Sequence, residues 1–456
     1  MSSNVINKNL WVLTGPIFIE LILSISLLLT DTFFLSMVSD NAASSVGATL
    51  AVISVCMFLF EALAQGGGSV VAQFLGAKRE NDAAAAFSAS LFLNLVAGFF
   101  ISAFFVLFHR NIAGWLGFSS ESLEYASVYM GIIGSTIIIQ AVKFFYSSVI
   151  SSIGKTYWNT IITVIANIIN ILINYFFITG AFGIPKPGVK GVAYATVISY
   201  VAAVIIAILV VHVRLKIRFA FKRFLVGFKR YSCSILRIAV PSALEPVSYH
   251  LSQMIIAIMI IKLGDIALGA RAYAFNLSYI NYVWYYAIAI GTQILVAHLV
   301  GAKLFDRVNK LLLRSLIQGA GGSLIITGLI FIFSRFLLSL YTANEEILKL
   351  GTTILGLGIA FGVLSTVNTI ITMALRAAGD AKYTSFMGII VMWVIGIPLC
   401  YYLGIYLNMG MVGVLLGMII DELIRGVLNY RRWLQRKWEH TGVVVENEPE
   451  NTLQAE

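Results

Sequence analysis

The sequence has few charged residues. Only 11% of its 456 residues are Asp, Glu, Lys or Arg, whereas 59% are hydrophobic. Soluble domains carry about 25% charged residues, because charges cover the surface that faces water. A soluble enzyme of this length is therefore all but excluded, and most of the chain must lie in lipid. Because one span takes about 20 apolar residues, the chain has room for roughly a dozen spans.

Residues that build metal, redox and nucleotide sites are also scarce. The three cysteines, Cys56, Cys233 and Cys400, have no metal or redox spacing, and the 5 histidines form no metal-binding motif. The absence of a Walker sequence argues against direct use of ATP. We therefore expect no enzyme and no cofactor. The first apolar run starts near Leu10 and is too long for a signal peptide, so we interpret it as a retained span.

Twelve apolar runs are long enough to be transmembrane helices. They lie near 10–38, 47–74, 84–108, 126–149, 157–179, 190–212, 238–261, 272–300, 312–337, 347–375, 383–406 and 410–433. An even number places both termini on one side, and that side holds 23 of the 31 Lys and Arg residues. Because cytoplasmic loops collect basic residues, we predict cytoplasmic termini in a bacterial inner membrane. The net charge of +10 then reflects orientation, and no nucleic-acid partner is expected.

The two halves of the chain repeat each other at a shift of 225 residues. The repeated positions of the first half are Pro16, Glu20, Gly66, Val71, Ala72, Gly76, Ala77, Lys78 and Gly154. This agreement indicates a duplicated unit of six spans, and such parallel repeats are related by an axis along the membrane normal. We therefore predict an all-α integral membrane fold with twelve transmembrane helices in two lobes around a central cleft. This architecture is typical of transporters.

The repeat also predicts the domain boundaries. The N-terminal lobe is expected at 1–213 and the C-terminal lobe at 238–436. Between them, 214–237 is a basic cytoplasmic linker with seven basic residues and no acid in its first 17 positions. Anionic lipid headgroups would hold such a segment at the interface, and a regulatory site is the alternative. The acidic, polar tail at 437–456 is expected to be disordered.

Ionisable residues within apolar spans are costly and mark functional sites. Asp31 lies in the first span, Asn170 and Asn174 share one face of the fifth, and Thr196 lies in the sixth. The repeat places apolar residues opposite three of these positions, namely Ile256, Ile395 and Leu399. Folding alone therefore does not require the polar cluster. Its oxygens suit a proton or a small hard cation such as Na⁺, and interhelical hydrogen bonding is the alternative.

Five further residues are candidates for contact with a substrate in the cleft: Glu61, Gln65, Lys143, Glu245 and Tyr249. Glu61 and Gln65 are one turn apart in the second span, and the second half has no acid at the equivalent position. Lys143 either pairs with an intramembrane acid or contacts substrate. Glu245 and its counterpart Glu20 each follow a proline by four residues, so a shared structural role is the alternative for both.

Several motifs together resemble the multidrug and toxic compound extrusion (MATE) family. They are TDTFFLSMVSDNAASSVGA from Thr30, GGGSVVAQFLGAKRENDA from Gly66, ANIINILINYFF from Ala166, PSALE from Pro241, LRAAGD from Leu375 and DELIRG from Asp421. The resemblance covers nearly the whole chain. It implies a cation-coupled exporter, in which Na⁺ or H⁺ moves in as an organic substrate moves out.

The resemblance also implies roles for individual residues. It assigns cation binding to Asp31, Asn170, Asn174 and Thr196. Many members have Asp where this chain has Asn174, so the identity of the ion stays open. Some members have an acid in the seventh span, where this chain has Tyr249 and a histidine. The implied mechanism is binding of H⁺ or Na⁺ at Asp31, which repacks the surrounding helices and releases substrate.

We therefore expect a monomeric antiporter for amphipathic organic cations, with a small organic substrate and membrane lipids as its partners. The alternatives are a two-lobe flippase for lipid-linked substrates, a dedicated metabolite exporter, a channel and a membrane-embedded enzyme. A flippase cleft needs a cationic lining for pyrophosphate. The sequence places only Lys143 among the basic residues within a span, which disfavours the flippase.

Overall fold

The computed structural model describes residues 5–446, and within this range the chain is built from helices without β-strands. In chain order the α-helices are α1 (Leu10–Ser36), α2 (Asp40–Gly76), α3 (Glu80–Trp115), α4 (Ser120–Ser135), α5 (Ile137–Ser152), α6 (Tyr157–Thr179), α7 (Val189–Leu209), α8 (Phe221–Val226), α9 (Phe228–Ile261), α10 (Asp265–Gly301), α11 (Phe305–Ile332), α12 (Ser334–Ser339), α13 (Glu345–Ala378), α14 (Ala381–Val391), α15 (Ile397–Tyr401), α16 (Gly410–Leu434) and α17 (Val443–Glu446). The structure also contains three π-helical turns. Val210–Arg214 extends α7, Met392–Gly396 connects α14 with α15, and Tyr402–Tyr406 extends α15.

The described helices account for the twelve predicted spans. Ten helical segments are long and apolar enough to cross a membrane, and the bent pair α4 and α5 supplies an eleventh. The twelfth is α16, which is 25 residues long but carries three charged residues in its middle. The prediction of an all-α fold with twelve spans is confirmed.

The bend between α4 and α5 lies at Thr136, where the two helices meet at 48°. The Thr136 hydroxyl donates to the carbonyl oxygen of Ile132 at 2.8 Å and also lies 3.2 Å from that of Ile133. A hydroxyl that binds carbonyl oxygens of the preceding turn competes with the helical hydrogen bonds and bends the helix. The break therefore occurs without a proline, at a residue whose hydroxyl bonds back to the preceding turn.

Packing divides the described chain into two compact units. Unit 1 consists of Val5, residues 15–75 and residues 79–243, and unit 2 of residues 6–14, 76–78 and 244–446. Unit 1 is centred on apolar side chains such as Phe60, Phe105 and Met130. Unit 2 is centred on others such as Ile260 and Leu338. The division falls within α9 and not in the predicted linker, because α9 already begins at Phe228.

Backbone conformation repeats between the halves as the sequence does. Lys78 and Lys303, at the 225-residue shift, have positive φ angles of 60° and 57°. Gly188 and Gly410, which precede or begin the last span of each half, both have φ of 60° at a shift of 222. Positive φ is uncommon for lysine because its Cβ crowds the backbone. Its recurrence at equivalent turns supports duplication of the unit.

The predicted linker packs on unit 1. Asp82, in the first turn of α3, accepts hydrogen bonds from Arg79 Nε, Arg223 Nη2 and the Tyr231 hydroxyl, each at 2.7 Å. Phe224, in α8, is 1% exposed and supplies an apolar anchor beside these polar contacts. One acid therefore holds the basic segment from 214 to 230 against the start of α3. Sequence reasoning described this segment only by its charge.

The predicted disorder of the tail is wrong for residues 437–444. The Trp438 side chain is fully buried, and its ring stacks on that of Trp433 with centroids 4.4 Å apart. The Thr441 hydroxyl lies 3.3 Å from the carbonyl oxygen of Ala378, to which it donates. Burial of a large indole orders this segment despite its polar neighbours. Residues 447–456 of the predicted tail lie outside the described part of the chain.

Replacing Trp438 with Ala should release the segment from unit 2. Truncation of a buried Trp costs about 3–5 kcal/mol, more than a short terminal segment can lose and stay bound. We expect trypsin to cleave after Arg436 and Lys437 faster than in the wild type, as measured by mass spectrometry of timed digests. Trp115→Ala is the control, because Trp115 is 80% exposed. Equal cleavage rates in wild type and Trp438→Ala would contradict the packing.

Candidate functional site

A polar cluster lies where α1, α6 and α7 contact each other within unit 1. Asp31 is 4% exposed. Its Oδ1 accepts hydrogen bonds from Asn174 Nδ2 at 2.8 Å and from Asn170 Nδ2 at 3.1 Å. Its Oδ2 accepts one from the Thr196 hydroxyl at 2.8 Å. The structure thus brings together all four residues that the sequence predicts as a cation site.

Further hydrogen bonds between α6 and α1 fix the position of this cluster. Asn167 Nδ2 donates to the Leu23 carbonyl oxygen at 2.7 Å, and the Thr160 hydroxyl donates to the Pro16 carbonyl oxygen at 2.8 Å. Asn167 lies on the same face of α6 as the two asparagines that bind Asp31, because their spacings are 3 and 4 residues. One polar face of α6 therefore follows α1 over several turns.

The oxygens of the cluster are of the kind that bind a proton or a small cation. Among the described residues, none with a basic side chain pairs with Asp31, so only neutral donors contact its carboxyl group. The side-chain oxygens Asn174 Oδ1 and Asn167 Oδ1 are buried without a hydrogen-bond partner. A buried carboxylate without a cation is costly, and so is a buried acceptor without a donor. A proton or a small cation would neutralise the Asp31 carboxylate. A metal cation such as Na⁺ could also be coordinated by the two unpaired asparagine oxygens.

Two tyrosines beside this cluster escaped sequence reasoning. Tyr129 is 2% exposed and lies beside Thr196, and Tyr200 lies beside Gln140. Both lie close enough to Asp31 to interact with its charge. Tyrosines are common in apolar spans, so the sequence carries no signal that singles these two out.

Lys143, on α5, has an intramembrane acid as its neighbour. Its charge interacts with that of Glu20 on α1. Lys143 Nζ lies 4.7 Å from the centre of the Tyr200 ring, within the range of a cation–π interaction. Lys143 therefore lies near an intramembrane acid, and pairing with that acid stays a prediction. Contact with substrate stays a prediction.

The remaining predicted substrate residues are held by neighbouring side chains. Gln65 Nε2 donates to Glu61 Oε1 at 2.9 Å across one turn of α2. Glu245 forms an ion pair with Arg376 on α13, and Arg376 Nη2 also lies 3.5 Å from Ser385 Oγ. The pair gives Glu245 a partner within unit 2, and a structural role shared with Glu20 stays a prediction. Substrate contact by these residues stays a prediction.

A second charged cluster, in α16 of unit 2, was missed by sequence reasoning. Arg425 Nη2 lies 2.6 Å from Asp421 Oδ2 and 2.7 Å from Glu422 Oε1. Glu422 Oε2 accepts a hydrogen bond from Asn368 Nδ2 on α13 at 2.9 Å. Spacings of 3 and 4 residues place all three charges on one helical face. Three charges in the middle of the apolar run 410–433 were the available signal.

This cluster corrects the prediction that Lys143 is the one basic residue within a span. Arg425 and Arg376 are each 5% exposed, and both lie in long helices of unit 2. The argument against a flippase therefore cannot rest on a scarcity of basic residues. A flippase is disfavoured instead because the positive charges of Arg376 and Arg425 are already neutralised. Each guanidinium is paired with a carboxylate of its own unit.

A cavity adjoins the charged cluster within unit 2. Its volume is about 20 Å³, which is room for about one water molecule. Its walls include Tyr249, Gln253, Phe361, Asp421, Glu422 and Arg425. The structure therefore places the predicted residue Tyr249 on the wall of a cavity. Across residues 5–446, no three or more His, Cys, Asp and Glu side chains form a group that could hold a metal ion.

Comparison with known proteins finds the same family in both halves. The MatE family model matches residues 16–176 and 241–402. The uncharacterized transporter YisQ of Bacillus subtilis (strain 168) is 34% identical over 435 residues, which cover 95% of this chain and 96% of that protein. The probable multidrug resistance protein NorM of Thermotoga maritima is 26% identical, with 96% and 95% covered. The crystal structure of MATE in the straight conformation superposes with a TM-score of 0.85 at 19% identity, covering 95% of this chain and 98% of the other.

Proposed function

Because the chain belongs to the MATE family of transporters, we propose that it exports small organic compounds in exchange for H⁺ or Na⁺ by alternating access. The family consists of multi-pass membrane transporters and not of enzymes, so the chain is a transporter. The proposal adds three things to this: the direction of transport, the coupling ion and the cargo, which we take to be amphipathic organic cations. A dedicated metabolite exporter is the second candidate, since a narrower cargo would require the same architecture.

The observation that carries the proposal is the burial of Asp31, with no basic side chain paired to it among the described residues. It is buried among three neutral donors on α6 and α7, so a bound cation would remove an isolated charge. A cation can drive a conformational change only if it binds one state more tightly than the other. Neutralisation of Asp31 changes the hydrogen bonds that join α1 to α6 and α7, which gives the two states different affinities.

The proposed cargo follows from an acid of unit 1 and from the relatives. Glu61 lies within α2 of unit 1, and such an intramembrane acid attracts organic cations. The NorM relative is named as a probable multidrug resistance protein, which favours a broad range of cargo. A flippase for lipid-linked phosphates is disfavoured, because the buried guanidinium groups of unit 2 are paired with carboxylates.

We further propose that the protein acts as a monomer in the bacterial inner membrane with cytoplasmic termini. The uneven distribution of basic residues supports this orientation. The basic segment from 214 to 230 would then lie at the cytoplasmic surface, where anionic lipid headgroups attract it. The contact of Asp82 with Arg223 and Tyr231 would hold it in place.

Transport by the purified protein in liposomes tests the proposal. A fluorescent organic cation is placed on the side equivalent to the cytoplasm, and a pH gradient or a Na⁺ gradient is imposed, one at a time. We expect movement of the dye against its concentration gradient with one of the two ions, and none in protein-free liposomes. Dye transport at the same rate with and without each ion gradient would contradict antiport. No movement under either gradient would contradict the cargo class, and a fluorescent-lipid assay in the same liposomes would then test the flippase.

Asn174→Asp should tighten binding of the coupling ion. The substitution adds a second carboxylate beside Asp31, and two like charges this close favour a cation between them. At an effective dielectric constant of about 20, one more charge at about 4 Å contributes several kcal/mol, so affinity should rise at least about tenfold. With Na⁺ as the ion, the half-saturating concentration for export falls. With H⁺, half-maximal export moves to higher pH. An unchanged ion dependence would contradict the assignment of Asn174 to the site.

A further inference from the structure

The basic segment from 214 to 230 exposes large apolar side chains. Val226 is 93% exposed and Leu225 is 67% exposed, both in the short helix α8, and Phe221 and Phe228 beside them are exposed as well. Phe224, in the same helix, is buried, so α8 has one side packed on the protein and another that is apolar and exposed. Exposed apolar surface of this kind marks contact with a membrane or with another molecule.

The contacts of α8 with α3 place the short helix at the depth of the lipid. The ring of Phe224 lies with its centre 5.7 Å from that of Phe92 on α3. Just before α8, the backbone N–H of Ala220 donates to Ser88 Oγ at 3.1 Å. Ser88 and Phe92 both lie within the apolar run 84–108, which forms the membrane-spanning part of α3. The exposed side of α8 therefore faces the edge of the bilayer, not the aqueous space beyond it.

Basic side chains accompany the exposed apolar ones. Lys222 and Lys229 are exposed, and the sequence from 214 to 230 contains no acid. Segments that combine apolar and basic side chains in this way are typical of helices that lie in the plane of the membrane interface. The apolar stem of a lysine can follow such a surface while its ammonium group reaches a headgroup. The charge of α8 and its surroundings is thus complementary to anionic phospholipids.

Contacts within unit 1 hold α8 in this position. His212, in the π-helical turn that extends α7, lies with its Nδ1 3.0 Å from the carbonyl oxygen of Ile217. Arg223 Nη2 donates to Asp82 Oδ1 at 2.7 Å on the other side of the segment. A helix of six residues alone would bind a membrane weakly, because binding strength grows with the buried apolar area. Here the lipid does not have to order the helix, since these contacts already do so.

We propose that α8 is an in-plane membrane anchor that binds anionic phospholipids. Leu225 and Val226 insert among the acyl chains next to the headgroups, and Lys222 and Lys229 bind the lipid phosphates. This goes beyond electrostatic attraction of the basic segment, because charge alone would keep the segment outside the acyl chains. The inference rests on the proposed function only in calling this leaflet cytoplasmic, and lipid binding at α8 does not require transport.

Quenching of a fluorescent label at position 226 tests the insertion. The full-length parent carries Cys233→Ala, which removes the exposed cysteine, and Val226→Cys is labelled with a nitrobenzoxadiazole maleimide. Liposomes of phosphatidylcholine and phosphatidylglycerol contain one lipid with a nitroxide on its acyl chain near the headgroup. We expect quenching closer to that of a label at Phe100→Cys, on the exposed face of α3, than to that at Asp306→Cys, whose side chain is 92% exposed at the start of α11. Quenching closer to that of Asp306→Cys would overturn the proposal, and energy transfer between labelled copies would then assign the surface to a second copy of the chain.

The same label tests the class of lipid. With the nitroxide on phosphatidylglycerol or on phosphatidylcholine at equal mole fraction, we expect at least about fivefold stronger binding of the anionic lipid, the contribution of roughly one lysine near an anionic surface. Lys222→Gln with Lys229→Gln should remove the preference and leave quenching by phosphatidylcholine in place. Lys310→Gln with Lys382→Gln is the matched control, because both lysines are exposed in unit 2 on the side that the sequence predicts to be cytoplasmic. Equal binding of the two lipids by the parent, a preference that survives in the first pair, or its loss in the control pair would overturn the assignment.

Two combinations of results separate this inference from the proposed function. If the label at position 226 is quenched with a preference for phosphatidylglycerol while the liposomes transport nothing, the anchor stands and only the proposed function fails. If an ion gradient drives dye transport while the label behaves like that at Asp306→Cys, the proposed function stands and the anchor is overturned.

Discussion

Replacement of Asp31 with Asn will reduce ion-driven export to about 1% of the wild-type rate. The variant has no charge at the site, so a cation no longer binds one conformation more tightly than the other. A ligand that moves a two-state equilibrium from 1:99 to 99:1 must favour one state by about 10⁴-fold. Without that difference the gradient cannot shift the populations, and only leak through the minor state remains.

The variant should fold, because its neighbours keep acceptors. Asn170 and Asn174 can still donate to the side-chain oxygen at position 31, which replaces Asp31 Oδ1. The Thr196 hydroxyl loses Oδ2 but already lies 3.0 Å from the Val192 carbonyl oxygen, to which it can donate instead. Loss of export would therefore report on the charge and not on the packing.

The measurement is gradient-driven dye transport in liposomes, with the melting temperature of each variant as a check on folding. Thr163→Val is the matched control, because Thr163 lies on the same buried face of α6 as the site asparagines and has no described hydrogen bond to Asp31. Export should be near normal in this control. Wild-type export by Asp31→Asn would exclude Asp31 as the coupling residue.

Arg425→Met will destabilise unit 2 by about 3–5 kcal/mol, the cost of breaking a buried ion pair by removal of one partner. The loss leaves Asp421 and Glu422 buried within one turn of α16 with no cation between them. Their mutual repulsion adds to the cost of burying each charge. We expect a lower unfolding temperature in detergent than for any single change at an exposed arginine.

Neutralising the acids should reverse the effect. The triple variant Asp421→Asn, Glu422→Gln and Arg425→Met replaces three charges with neutral groups of similar shape, and such replacements of buried ion clusters are often neutral or stabilising. Asn368 can still donate to the side-chain oxygen at position 422. A matched control is Arg335→Met, since Arg335 pairs with Glu345 at the exposed surface. A triple variant as unstable as Arg425→Met would show that packing, and not charge, sets the stability of the cluster.

The periodic features of the sequence predicted much of this structure. Twelve apolar runs and the 225-residue repeat gave the helices, because hydropathy reports directly on burial in lipid. The Asp31 cluster was predictable because its asparagines recur at helical spacing in an otherwise apolar run. The residues at which helices begin were harder to predict from the sequence. For α9, the residues before 238 are basic and polar, and nothing in hydropathy shows that the helix already begins at Phe228.

Partners that are distant in the sequence could not be predicted. Glu245 and Arg376 are separated by 131 positions, and only the packing of α9 on α13 brings them together. Arg425 was grouped with loop residues because a charge count along the chain cannot distinguish a helix end from a buried, paired guanidinium. Trp438 gives order to a segment whose composition alone predicts disorder. In each case the deciding quantity is a contact that composition does not encode.

Arg425 gives unit 2 a counter-ion that is covalently attached to the chain, whereas under the proposed antiport Asp31 in unit 1 would take its counter-ion from solution in each cycle. If that single carboxylate is the coupling site, the proposal implies one monovalent ion per cycle. Exchange for a monovalent cationic cargo would then be electroneutral, so the concentration gradient of the ion would drive export and the membrane voltage would not.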